Sequence, residues 1–428
     1  MNILFIGFMD YLTFTKNESI NVYTGQYEDD NFNPNYYNNF DNFSEYGLES
    51  IKSYCLNKCK IDNFEIVLDP SENLNINFIP DIIGVSLKFE KNLIYENLKN
   101  YISFLRKKFN KTFIIAGGPV ACLNKEKFIN LFDAICLGEG EIPFSELLNS
   151  NNKQKYLEET PYWFIRGKEK TELFVLKDLD ILYPLAKEIT DKYKDKYLAL
   201  SFTRGCVNAC IFCFSYPFRK CVISPSLNKV ISDLQFYIDN GIRKFLSMDD
   251  LPFYNKELWM GILNFLLENN CKIDLMNIQF NNLDEELLAL LSKVIEDRRI
   301  VIAMDGLTEQ TMNRIGKKGT YDQIRNIIRI IHKYNMSAET FVVIGYPWDT
   351  IEEIKNIKNV VKNLGFDYSI FIKLFLIKNS PIYKMAVQDG LISKEEQELL
   401  FVEKSVYLER LMKDYPNFDL ESLINYSM

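Results

Sequence analysis

The chain has 428 residues, 47% of them hydrophobic, with nine cysteines and a formal net charge of -8. That length exceeds what a single core serves, so two domains are expected, and the acidic balance, with Lys and Arg interspersed among Asp and Glu, argues against a nucleic-acid partner. The opening MNILFIGFMDYLTF lacks a basic n-region, and no apolar stretch approaches the ~20 residues of a membrane span, so the expectation is a cytoplasmic protein without membrane contact. In a reducing compartment its cysteines are read as metal ligands, reactive thiols or core residues, not as a disulfide framework.

Short apolar runs of strand type open the chain: NILFIGF, FEIVLDP, DIIGVSL, TFIIAGG and AICLGEGE, separated by helical patterns, which together predict a doubly wound parallel α/β sheet over 1–150. The Asn-, Asp- and Tyr-rich segment from Asp10 to Ser44 is too long for a simple connection and follows the first strand, where open parallel sheets bind ligands. Residues 151–190 read as an interdomain connection. A second alternation over 191–392, with strands in YLALSFTRG, RKFLSMDD, KIDLMNIQF, RIVIAMDG, SAETFVVIGYP and YSIFIKLFLI, predicts a partial (β/α)6 barrel. The tail, 393–428, reads as a helix with a polar face through EEQELLFVEKSVYLERLMKDY. The only histidine, His332, falls on the face of a predicted helix, which leaves little room for histidine base chemistry.

Cys206, Cys210 and Cys213 lie just after the first strand of the second alternation, on a loop where a parallel barrel places its active site. Three thiolates this close can hold three corners of an iron-sulfur cube and leave the fourth iron open. A zinc site would want a fourth ligand, which Cys221 could supply, and core packing explains the clustering poorly.

CVNACIFC resembles the motif of the radical S-adenosylmethionine superfamily, CxxxCxxC with an aromatic, here Phe212, before the last cysteine. The resemblance implies a 4Fe-4S cluster on Cys206, Cys210 and Cys213. It also implies S-adenosylmethionine chelating the open iron, and a 5′-deoxyadenosyl radical released by one electron from a donor such as flavodoxin or ferredoxin. It assigns Ser247 and Asp249, in FLSMDD, to the amino group of that cofactor. Asp305 stands where many relatives carry Glu, and Gly345, in FVVIGYPWDT, lies on the adenine-side strand and turn. KNSPIY resembles the segment of the sixth strand, without its glycine. Cys221 is a candidate catalytic thiol near the cluster loop.

IIGVSLKFEKN, AGGPVACLNKEKF and AICLGEGEIPFSELL resemble the cobalamin-binding domain that precedes many such enzymes, with Ser86, Gly117 and Gly118 the candidates for the nucleotide tail. A turn explains Gly117-Gly118-Pro119 equally well. No histidine precedes His332, so a bound cobalamin would lack a histidine lower ligand. The resemblance thus implies cobalamin-dependent methylation of an unactivated carbon of a small molecule or peptide. The alternatives are a cobalamin-independent radical rearrangement, cyclisation or other modification with a vestigial cobalamin-type domain and, more remotely, a non-catalytic iron-sulfur sensor. A methylthiotransferase would need a second N-terminal cluster and usually a basic tail; neither is legible.

Overall fold

Apolar runs four to eight residues long, each followed by an amphipathic stretch, fold as strand and helix in alternation, and the chain divides between Tyr193 and Lys194 into two compact units. The structure, a computed structural model, describes residues 1–7, 46–68, 74–88, 94–213, 218, 220–275, 278–399, 401–402 and 405–420. The segment from Asp10 to Ser44 lies outside the described residues.

The first unit is one sheet of order β2-β1-β3-β4-β5-β6, formed by Asn2–Gly7 (β1), Asn63–Leu68 (β2), Ile82–Ser86 (β3), Phe113–Gly117 (β4), Ala134–Cys136 (β5) and Trp163–Phe164 (β6). The first five strands are parallel, and β6 returns antiparallel, with Cys136 opposite Trp163. Ile3, Phe5, Ile82, Ile115 and Ala134 form a core with Phe144, Leu147 and Trp163. This is the doubly wound arrangement, whose order reverses between β1 and β3. At that crevice Gly7 pairs with Ser86, and Ser86 with Gly117, so the carboxyl ends of three strands stand level.

The second unit places Tyr197–Leu200 (β7), Lys244–Ser247 (β8) and Lys272–Leu275 (β9) in one parallel sheet and Arg299–Ala303 (β10), Ser337–Ile344 (β11) and Tyr368–Lys373 (β12) in another. A parallel bridge from Ile278 to Ile302 links the two, giving six βα units in sequence order, the partial barrel expected. Side-chain caps fix where its loops end. Ser226, Asn255, Asp284, Thr308, Thr320 and Thr350 each accept a bond from the backbone N–H three residues on. Thr320 with Gln323, and Thr350 with Glu353, complete capping boxes. His332 sits on the helix Tyr321–Lys333 with its Nε2 2.8 Å from Asp367 Oδ2.

The tail differs from the single helix expected. A short turn of helix at Glu396–Glu398 gives way to Phe401–Val402 (β14), which pairs antiparallel with Leu376–Ile377 (β13), before a helix over Val406–Lys413. Val402, Val406, Tyr407 and Leu376 share one core cluster. Burying Val402 there outweighs the helix propensity of the flanking Glu and Lys residues.

Candidate active site

β7 ends at Leu200, and the chain leaves it through SFTRG into the three cysteines. Asp249, just past β8, anchors that exit. Its buried carboxylate accepts the N–H of Phe202 at 2.7 Å, the N–H of Thr203 at 2.8 Å and the Thr203 hydroxyl at 2.5 Å. Burial drives its pKa up to about 7 against the pull of these donors. Gly205 turns the chain at φ 94°, and its N–H donates to Asp250 Oδ2 at 3.2 Å. Further on, Ile211 N–H donates to Ile315 O at 3.1 Å and Ile382 N–H donates to Ile211 O at 3.2 Å. Gly316, at φ 95°, lies so close that a Cβ there would stand 2.9 Å from Ala209 O and 3.3 Å from Cys210 Cα. Backbone bonds and a glycine contact therefore brace the loop along its length.

Cys210 is buried, while Cys206 and Cys213 are half-buried. Burial pushes the Cys210 thiol up to about 12, and Lys317 opposes that rise while Cys213, Asp305 and Cys206 add to it. Cys206 is raised as well, by burial first, against the Asn208 N–H that donates to its sulfur at 3.4 Å. Cys213 adds to the rise at both. Among the described residues no three His, Cys, Asp or Glu side chains gather as a single metal ion would require. Three cysteines on one braced loop, an N–H donated to one sulfur and a buried cation that lowers two of the thiol pKa values suit a thiolate-bound cluster, whose own charge removes the thiol protons.

Lys317 is the residue the sequence reading missed. It is buried, with its ammonium 2.6 Å from Asp305 Oδ2 and 3.4 Å from Ala303 O. Burial works against its charge, yet Asp305 and the thiols of Cys210 and Cys213 carry its pKa upward overall. Its sequence signal is ambiguous, since Lys317 and Lys318 are adjacent and only the fold turns one inward and the other outward.

The other expected residues divide. Phe212 packs on the cluster of Tyr346, Leu374 and Ile382, its ring 6.1 Å from that of Tyr346. Gly345 precedes that tyrosine at φ 100°; its N–H donates to Asp349 Oδ2 at 2.8 Å, and a Cβ would stand 2.7 Å from Ser405 Oγ. Asp305 adopts φ 56°, held by its N–H to Phe341 O at 3.1 Å and by the Tyr346 hydroxyl on its carbonyl at 2.9 Å. Ser247 is fully buried, with its Oγ accepting the Asp249 N–H at 3.4 Å, so it supports the anchor. Cys221 is exposed, two residues before Ile223, which pairs with Arg204.

In the first unit Gly118 takes φ 91°, and a Cβ there would stand 2.6 Å from Leu87 O, a backbone approach that only glycine permits. A Cβ on Gly117 would make only an ordinary contact, with Cys136 Cβ at 3.9 Å, and Gly117 pairs with Ser86 at the crevice. Cys122 donates to Cys136 O at 3.5 Å, and Cys55 and Cys136 are buried in the apolar core.

Residues 200–361 match the model of the radical SAM superfamily. An uncharacterized methyltransferase of Pyrococcus horikoshii is 23% identical over 330 residues, 74% of this chain and 71% of the relative. A probable threonylcarbamoyladenosine tRNA methylthiotransferase of Methanocaldococcus jannaschii is 23% identical over 80% of this chain and 77% of its own length. The solved structure of the radical S-adenosylmethionine methyltransferase TsrM from Kitasatospora setae, with cobalamin and a [4Fe-4S] cluster bound, superposes with a TM-score of 0.68 at 12% identity, covering 92% of this chain and 76% of that one.

Proposed function

We propose, for a chain that belongs to the radical S-adenosylmethionine superfamily, that Cys206, Cys210 and Cys213 hold a 4Fe-4S cluster and that the protein methylates an unactivated carbon of a small molecule or peptide with the help of cobalamin. The observation that carries the first half is the braced loop itself, which carries three cysteines at the carboxyl end of the first barrel strand. When bound, the cluster supplies the one electron that cleaves S-adenosylmethionine to the 5′-deoxyadenosyl radical.

This chain's own residues then have distinct tasks. Phe212, its ring tilted 60° against that of Tyr346 next to Gly345, offers an apolar face suited to the adenine. Asp249 and Ser247 act through the loop that they hold, and Asp305 through Lys317. A flavodoxin- or ferredoxin-like donor delivers the electron. Ser86 offers a hydroxyl, and Gly117 a backbone without a side chain, at the crevice of a doubly wound sheet, which supports a cobalamin tail bound without a histidine ligand. Gly118 favours a second reading, a radical modification without cobalamin, because packing against Leu87 already explains that glycine. Burial of Cys55 and Cys136 in the core disfavours the second cluster of a methylthiotransferase.

Anaerobic reconstitution with iron, sulfide and cobalamin, followed by S-adenosylmethionine and a reductant, tests both halves. The expected result is an iron-sulfur chromophore, retained cobalamin and 5′-deoxyadenosine. Unchanged iron content in the Cys206→Ala, Cys210→Ala, Cys213→Ala triple variant would overturn the cluster assignment. Loss of all cobalamin on gel filtration would overturn the methylase reading.

A further inference from the structure

We propose that Lys317 is the fixed counter-charge of the cluster and that the Lys317–Asp305 pair sets the cluster's reduction potential, an inference that rests on the cluster reading of Cys206, Cys210 and Cys213. Lys317 has 7% of its side chain exposed and Asp305 14%, so little water screens the pair. A buried ion pair of this kind adds little net stability compared with apolar residues of the same volume, so stability alone is a poor reason for one. Its place suggests a better one. The residue before Lys317 lies against Ala209 and Cys210, and Lys317 N–H is held by Met312 O at 2.9 Å. Asp305, across from it, is fixed in a left-handed conformation by Phe341 and Tyr346. Neither charge can swing away.

Reduction adds one negative charge to the cluster. The oxidised cluster takes one electron from a one-electron donor, with no bond broken. A buried cation stabilises the reduced state and raises the potential, and a buried carboxylate lowers it. The two members of the pair should therefore act with opposite sign.

A redox titration of the reconstituted full-length protein with titanium(III) citrate, read by the electron paramagnetic resonance of the reduced cluster, tests this. Lys317→Met should shift the midpoint to more negative potential, Lys317→Arg should leave it near the parent value, and Asp305→Asn should shift it to more positive potential. Midpoints unchanged in Lys317→Met and Asp305→Asn at equal iron per chain, or shifted in the same direction, would overturn the proposal. Should Lys317→Met fail to keep its cluster, Asp305→Asn decides alone: a positive shift supports the pair and none refutes it. A parent protein that takes up no cluster overturns the cluster reading instead.

Discussion

The two units prepare the ends of their parallel strands in different ways. In the second, the loop after β7 is bound by Asp249 at its root, by Ile315 and Ile382 at its middle, and is pressed by Gly316 beside Cys210. In the first, the ends of β1, β3 and β4 stand level, and β4 ends on Gly117, which brings no side chain there. A compact, highly charged group needs ligands held at fixed points, which calls for backbone hydrogen bonds. A large ligand lying across strand ends needs side chains to be absent.

The sharpest way to break that contrast is to cut the root of the braced loop. Asp249→Ala strands two buried N–H groups and a hydroxyl, each worth about 1–3 kcal/mol, so chemical denaturation should show a loss of several kcal/mol and reconstitution a fall in iron per chain. A normal iron content would mean that the cysteines hold their places without the anchor.

Proton linkage ranks next. Asp249 and Asp349 each reach about 7 when folded, above the 3.8 of the free group, so the folded state binds these protons more tightly. Their contribution is full below about pH 4 and is lost as pH rises through 7. Denaturation midpoints should therefore fall between pH 5 and pH 8, by a few kcal/mol at most, and the slope should flatten in Asp349→Asn. A midpoint that rises over this window would contradict the burial argument.

Two glycines give the most direct comparison. Gly316→Ala forces a Cβ onto Ala209 O at a left-handed φ and should cost about 1–3 kcal/mol with weaker cluster retention, measured by melting and iron assay. Gly117→Ala meets only ordinary contacts and should change stability by about 0.5 kcal/mol or less. If cobalamin lies at the crevice, the same Gly117 variant should bind it more weakly in equilibrium dialysis; unaltered binding would move the tail elsewhere.

Much of this was legible beforehand. Five parallel strands of the first sheet and six of the barrel follow from apolar runs, and the cysteine loop follows from its spacing. Three features were not. Lys317 was hidden because adjacent lysines look alike until the chain from Gly316 to Gly319 turns one of them inward. The resemblance assigns Asp249 to the amino group of the cofactor; that both its oxygens also hold Phe202 and Thr203 depends on neighbours more than 40 residues away, which FLSMDD does not report. The broken tail was missed because the pairing of β14 with β13 is a tertiary contact, which helical periodicity does not report.

Trp163 is fully buried, and its strand closes the edge of β5 from a point well beyond the last parallel strand. Phe174 lies further along still; its N–H donates to Leu137 O at 2.9 Å and its carbonyl accepts the Glu139 N–H at 3.0 Å. A fragment ended near residue 150 would leave β5 as a bare edge with Cys136 uncovered, prone to pair with another copy. During synthesis, the first unit has to wait for residues past 174 to emerge before its sheet is sealed, so these residues behave as a clasp that fastens after the fabric is woven.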